Sequence, residues 1–214
     1  NCDRRRDYLS AATDLLIADL EEMAANWQAG GAARKELMEK GTQGGLATIL
    51  TGMGSLSYGE LAGERMKLGL LLGDPEEEHD CFADNTHNSH FYNSVGIRNV
   101  YQGSYTRIDG TVVSGASLAA LVKGVDADLS AELGAKLDAT VTAMQAMVDR
   151  AEGGEAYDQM IAVGNDEGNA VVQAAIDGLV DQTPSIERTI AALDLGVIEL
   201  EGSDSLDNPS AVFE

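Results

Sequence analysis

The sequence predicts an all-α protein: a long-helix, up-and-down bundle with irregular loops and an acidic C-terminal tail. Apolar residues recur at three- and four-residue steps over several long stretches, no series of alternating strand segments interrupts them, and the connections are short and glycine-rich. With 214 residues, one domain spanning 1–214 is long enough to bury a core.

The first helix reads from Asp3 to Trp27, where Tyr8, Leu9, Ala12, Leu15, Leu16, Leu20, Met23 and Trp27 fall on one face. Gly30-Gly31 ends it. A second helical pattern follows from Leu37 through Leu46, Leu50, Met53, Leu61 and Met66 to Leu72, unusually rich in glycine (Gly52, Gly54, Gly59 and Gly63 among others). Each glycine costs about 1 kcal/mol against alanine inside a helix, so the segment implies close packing, kinks, or a backbone brought near a site. Asp74-Pro75 stops it, and Asp84-Asn85-Thr86 opens a third helix through Tyr101. Residues 103–115 are turn-rich, with Thr111-Val112-Val113 as a turn or a short strand. Helical spacing resumes from Leu118 to Val148 with a break near Gly124, and then over 156–162, 169–180 and 184–193, with Pro184 at a first-turn position. The tail from Gly196 is acidic and irregular.

A formal net charge of -22 argues against nucleic acid and anionic membrane surfaces as partners, because the field repels phosphate. No apolar run reaches the length of a membrane span. The chain starts Asn1-Cys2 without an initiator methionine, which reads as a processed protein or a piece of a longer one. Two cysteines, Cys2 and Cys81, are compatible with either a disulfide or reduced thiols.

All three histidines lie in the stretch Glu76 to His90, EEEHDCFADNTHNSH, beside several carboxylates. His87 and His90 have the three-residue spacing that puts both on one side of a helix. His79 and Asp84, on the preceding loop and cap, can fold back towards His87. Imidazole with carboxylate suits zinc, iron or manganese, so His79, Asp84 and His87 form a candidate metal site. Capping by Asp84 and Asn85, and a solvated acidic run at 76–78, explain the same residues without a metal. Glu60 and Glu64 have the four-residue spacing of two carboxylates on one helix face, where a cation or Arg65 relieves their repulsion. A phosphate loop, a G-x-S-x-G elbow and an H-E-x-x-H helix are all absent from the sequence.

The runs Ser55-Leu56-Ser57-Tyr58-Gly59-Glu60-Leu61-Ala62-Gly63-Glu64-Arg65-Met66, Glu76 to His87 and Gly96-Ile97-Arg98-Asn99-Val100-Tyr101 resemble the imelysin-like family. The opening Asn1 to Leu9 and the tail Gly202 to Pro209 are similar to its iron-regulated protein A branch. The resemblance implies a bacterial periplasmic or cell-envelope protein, in some members lipid-anchored, associated with iron uptake and in part labelled a peptidase. It further implies that this chain is the C-terminal half of a two-bundle protein whose signature G-x-H-x-x-E belongs to the other half; that string does not occur here. Carried onto this sequence, it gives Glu60, Glu64, Arg65, His79, Asp84 and His87 as a site-facing surface; Glu78 and Asn85, beside them in the loop, are expected to face the same cleft, and His79, Asp84 and His87 stay the candidate ligands for an iron or zinc ion. The partner it implies is the N-terminal half or another envelope protein. An envelope location also suggests a Cys2–Cys81 disulfide.

Overall fold

The computed structural model describes residues 2–213. The chain divides into two compact units, Asn1–Thr48 and Ile49–Glu214, where the sequence reading took it as one bundle. In the first unit α1 (Cys2–Trp27) packs on α2 (Ala32–Glu39), and no residue of either helix is buried. The apolar stripe of α1 therefore stands open to solvent, with Leu9 67% and Leu15 63% exposed. The boundary between the units falls inside α3 (Gly41–Ser55).

The second unit is a helical bundle. After α3 come a π-helix (Leu56–Lys67), α4 (Leu68–Leu72), a 3-10 turn (Pro75–Glu77) and α5 (Thr86–Gln102). A two-stranded hairpin, β1 (Ser104–Thr106) with β2 (Val112–Ser114), pairs antiparallel with Tyr105 opposite Val113. Then follow α6 (Leu118–Lys123), α7 (Ala127–Glu152), α8 (Tyr157–Ile161), α9 (Asp166–Ala192) and α10 (Asp204–Asp207). The long helices start at side-chain caps: Asp126 accepts from the Leu129 amide at 2.9 Å, and Asn165 from the Gly168 amide at 3.0 Å.

Leu129, Leu133, Leu137 and Met144 on α7 face Val172, Ile176, Leu179 and Ile186 on α9, so the helical spacing of apolar residues becomes the main packing surface. The π-helix closes this pair from one side with Leu61 and Met66, and α8 adds Tyr157, Met160 and Ile161 to the core. No helix among the described residues is long and apolar enough to cross a membrane.

Two expectations need correction. Pro184 does not begin a helix but lies inside α9. A proline there removes one ladder bond, a cost of about 3 kcal/mol, yet Ile186 and Ile190 beyond it remain buried against the bundle and hold the helix on course. A buried polar chain crosses at the same level: Thr140 donates to Gln182 at 2.7 Å, Gln182 to Ser57 at 2.8 Å, and Ser57 to the Met53 carbonyl at 2.7 Å. The glycine-rich stretch 56–67 is π-helical rather than α-helical. The tail has no regular element over 196–203, as expected, and residues 200–207 lie across the π-helix. A Cβ on Gly59 would sit 2.6 Å from the Glu201 carbonyl oxygen, and one on Gly63 would collide with the Ser203 side chain. Glycine at these two positions permits a backbone approach by the tail, not by a neighbouring helix.

Candidate functional site

Two polar regions flank the core of the second unit. The first is the seam between π-helix and tail. The Tyr58 hydroxyl donates to Asp207 Oδ1 at 2.6 Å, and the Ser203 amide donates to Asp207 Oδ2 at 3.1 Å. The Ser203 hydroxyl donates to Glu64 at 2.6 Å, and that of Ser205 to the Gly63 carbonyl at 2.9 Å. Arg65 pairs with Glu60 at 3.0 Å. The hydrogen bond to Asp207 is the main cause that pushes the Tyr58 phenol up to about 12. Beside the seam lies a cavity of about 420 Å³ lined by Tyr58, Val180, Pro184, Glu187, Leu200 and Asp207. Every carboxylate that the sequence reading placed in a cleft on this helix is thus engaged within the protein.

The second region is the loop that leads into α5. Asp74 caps the 3-10 turn by accepting from the Glu76 amide at 2.9 Å. Glu78, although acidic, is buried and accepts from the Thr86 hydroxyl at 2.9 Å, while Thr86 Oγ1 accepts from the Asp80 amide at 3.0 Å. Ser89 donates to the Asp80 carboxylate. Asn88 donates to Asn85 at 2.8 Å and lies 3.1 Å from His87 Nε2. These bonds pin the loop to the first turn of α5, in which Asn85 is the N-cap and Asp84 takes a left-handed backbone with φ 49°.

Beneath this loop His90 is fully buried and meets Tyr157 edge to face, with ring centres 5.2 Å apart. His79 is exposed, its ring centre 6.1 Å from that of His90. Burial, followed by the nearby His79 and Arg65, pushes the His90 imidazole down to about 3, against a smaller opposing effect of Asp80. At neutral pH this ring is uncharged. Burial likewise holds the Glu78 carboxyl above the usual range, with Thr86 opposing, and raises the Tyr157 phenol, with Glu78 adding to the effect. His87 Nδ1, both ring nitrogens of His90 and the Tyr157 hydroxyl are buried with no hydrogen-bond partner among the described residues.

The family model described as imelysin, a peptidase M75 group, matches residues 2–186. The chain belongs to the imelysin family. No curated protein matches it. In this imelysin-family chain the matched stretch takes in the loop, the π-helix and α8, and it ends before the tail that covers the π-helix.

Of the residues singled out in the sequence, Glu60 and Arg65 meet each other, Glu64 meets Ser203, and Glu78 meets Thr86. Asp84 and Asn85 are exposed. His79, Asp84 and His87 do not gather as a ligand set: among the described residues no three His, Cys, Asp or Glu side chains are placed to hold one metal ion. Both cysteines are free thiols, Cys2 exposed and Cys81 half-buried.

The sequence reading does not count His90 among the candidate ligands, although its three-residue spacing puts it on the same side of the helix as His87. It missed Tyr157 altogether. Nothing local marks a tyrosine so far along the chain as the neighbour of a histidine; only the fold of α8 against α5 brings them together.

Proposed function

We propose that this imelysin-family chain is a binding module of the bacterial cell envelope that works in iron acquisition. It takes a metal-bearing or other small ligand at the loop corner formed by residues 78–90, Arg65 and Tyr157. The observation that carries this reading is the group of buried, unpartnered polar atoms on His87, His90 and Tyr157, in the stretch that matches the family. Buried polar groups in folded proteins are nearly always bonded, so such a group marks a place for a ligand.

The described residues do not complete a metal site. An iron or zinc ion held here would need ligands from outside the chain in addition to His79 and His87. The partner that suits this reading is the N-terminal half of a two-bundle protein, or another envelope protein. The exposed apolar stripe of α1 supports such docking, since an amphipathic helix ordinarily buries that face.

The test is calorimetric titration with ferrous, ferric and zinc ions, on this chain alone and joined to an upstream half, in wild type and in His79→Ala/His87→Ala. Binding that appears with the upstream half and falls at least about tenfold in the double variant is expected. Absence of binding in both forms would remove the metal from the proposal.

The peptidase label of the family gives a second reading. Hydrolysis requires a metal-activated water at an open coordination position and a general base. Because no three ligands gather among the described residues, we derive no catalytic step. Chelator-sensitive cleavage of an unfolded protein substrate by the purified chain is the result that would establish it.

A further inference from the structure

The cavity of about 420 Å³ beside the seam is walled by three parts of the second unit: Tyr58 of the π-helix, Val180, Pro184 and Glu187 of α9, and Leu200 and Asp207 of the tail. Its walls are anchored by bonds of their own. Leu200 lies on the bare backbone of Gly54, where a Cβ would sit 2.6 Å from its side chain, and the Glu201 amide donates to the Ser55 hydroxyl at 3.1 Å. Asp207 is held by the Tyr58 hydroxyl and the Ser203 amide. The space is therefore part of the fold, and its volume is that of an ordinary small-ligand pocket.

The lining side chains offer acceptors and no free donor. Tyr58 spends its proton on Asp207, and Thr183, also in the lining, spends its own on the Leu179 carbonyl at 2.9 Å, so both oxygens keep only lone pairs. Glu187 has no hydrogen-bond or ion-pair partner among the described residues. Pro184 lacks the amide that would bond the Val180 carbonyl in an α-helical ladder, which adds a main-chain acceptor at this level of α9. No lysine, arginine or histidine lines the space among the described residues. A positively charged group with several protons to donate matches this set, and an anion does not.

Volume and apolar area separate the kinds of cation. A bare metal ion would occupy a small part of the cavity, and among the described residues no three His, Cys, Asp or Glu side chains gather to hold one. Val180, Pro184 and Leu200 instead put an apolar wall beside the two carboxylates. An alkyl stem lying along that wall carries its charged head to Glu187 and Asp207. We infer that the cavity between α9 and the tail binds an organic cation, an ammonium group on an aliphatic stem, with Glu187 and Asp207 receiving the charge and Val180, Pro184 and Leu200 the stem. The site goes beyond the binding role proposed for the loop corner and does not depend on it.

The experiment is a titration of the 15N-labelled chain with n-pentylammonium, read by backbone amide shifts, with pentan-1-ol and calcium ion in parallel samples. Pentylammonium is expected to move the amides of Val180, Thr183, Glu187 and Gly202 in a saturable manner, and pentan-1-ol, with the same stem and a neutral head, to bind more weakly. Glu187→Gln, whose exposed side chain has no partner to lose, is expected to weaken the apparent affinity for pentylammonium about fivefold. Its amide spectrum confirms that the variant is folded. Nα-acetyl-lysine methylamide separates two sources of the same chemistry. Binding as tight as that of pentylammonium fits a lysine side chain of a docked protein, and weaker binding fits a free amine.

Shifts spread over the whole surface would mean that the net charge of -22 merely collects cations, and would overturn the site. So would equal affinity for pentan-1-ol, unchanged affinity in Glu187→Gln, or displacement of pentylammonium from the same amides by calcium.

Discussion

The seam between π-helix and tail and the corner beneath the α5 loop each hold one tyrosine among several ionisable groups, yet they use them in opposite ways. At the seam Tyr58, Glu60, Glu64, Ser203 and Asp207 each have a partner, and glycine at 59 and 63 lets the tail lie close enough for those bonds to form. At the corner His87, His90 and Tyr157 keep atoms without partners in places that solvent does not reach. The seam holds the fold together, whereas the corner retains capacity for something else. Polar residues matching a family motif therefore divide into structural and available groups only when their partners are known.

The largest effect should come from separating the tail from the π-helix. Gly63→Val drives a branched side chain into Ser203 and is expected to cost about 3 kcal/mol of unfolding free energy in urea. A wild-type midpoint in that variant would mean that the tail contributes nothing to the seam.

Next in size is the acid response of the corner. The His90 imidazole is depressed in the folded protein, so the unfolded chain binds the extra proton between the two ionisations. The stability is whole above the ordinary histidine range and falls as pH drops below it, at up to about 1.4 kcal/mol per pH unit. Glu78, whose carboxyl is raised, works the other way and offsets part of this loss as it protonates. Comparing wild type with His90→Gln between pH 7 and pH 4 isolates the histidine, and the variant's curve should be the flatter one.

Asp207→Ala removes the acceptor for Tyr58 and for the Ser203 amide and is expected to cost about 1 kcal/mol. In the same variant the Tyr58 phenol, now held up at about 12, should return towards the ordinary tyrosine range in an ultraviolet titration. The smallest effect belongs to Glu60→Gln. Its pair with Arg65 is partly exposed, and a loss of less than about 0.5 kcal/mol is expected on thermal unfolding.

The all-α bundle and its main helices were legible because apolar residues on α7 and α9 repeat at the helical period, and burial follows that period directly. Pro184 misled because local propensity reads it as a helix start, whereas packing on both sides carries the helix through it. The docked tail was not legible, since it depends on contacts between residues about 140 positions apart, such as Glu64 with Ser203, and no local pattern in 56–67 distinguishes a π-helix from an α-helix. At the candidate site the histidine-rich loop was visible as composition. Which of its residues are spent was not, because Thr86 claims Glu78 and Asp80 claims Ser89 only once the loop has folded. Tyr157 carried no signal of its own.

The central claim is that the corner's polar atoms are unspent while those of the seam are not. It is tested most directly by measuring unfolding free energies of Tyr58→Phe and Tyr157→Phe side by side in ligand-free protein. Tyr58→Phe loses a bond to Asp207 and should fall by about 1 kcal/mol, whereas Tyr157→Phe deletes a hydroxyl that has no partner and should be unchanged or more stable. Equal losses in the two variants would contradict the account, because the Tyr157 hydroxyl would then be bonded within the protein and the corner would be as fully spent as the seam.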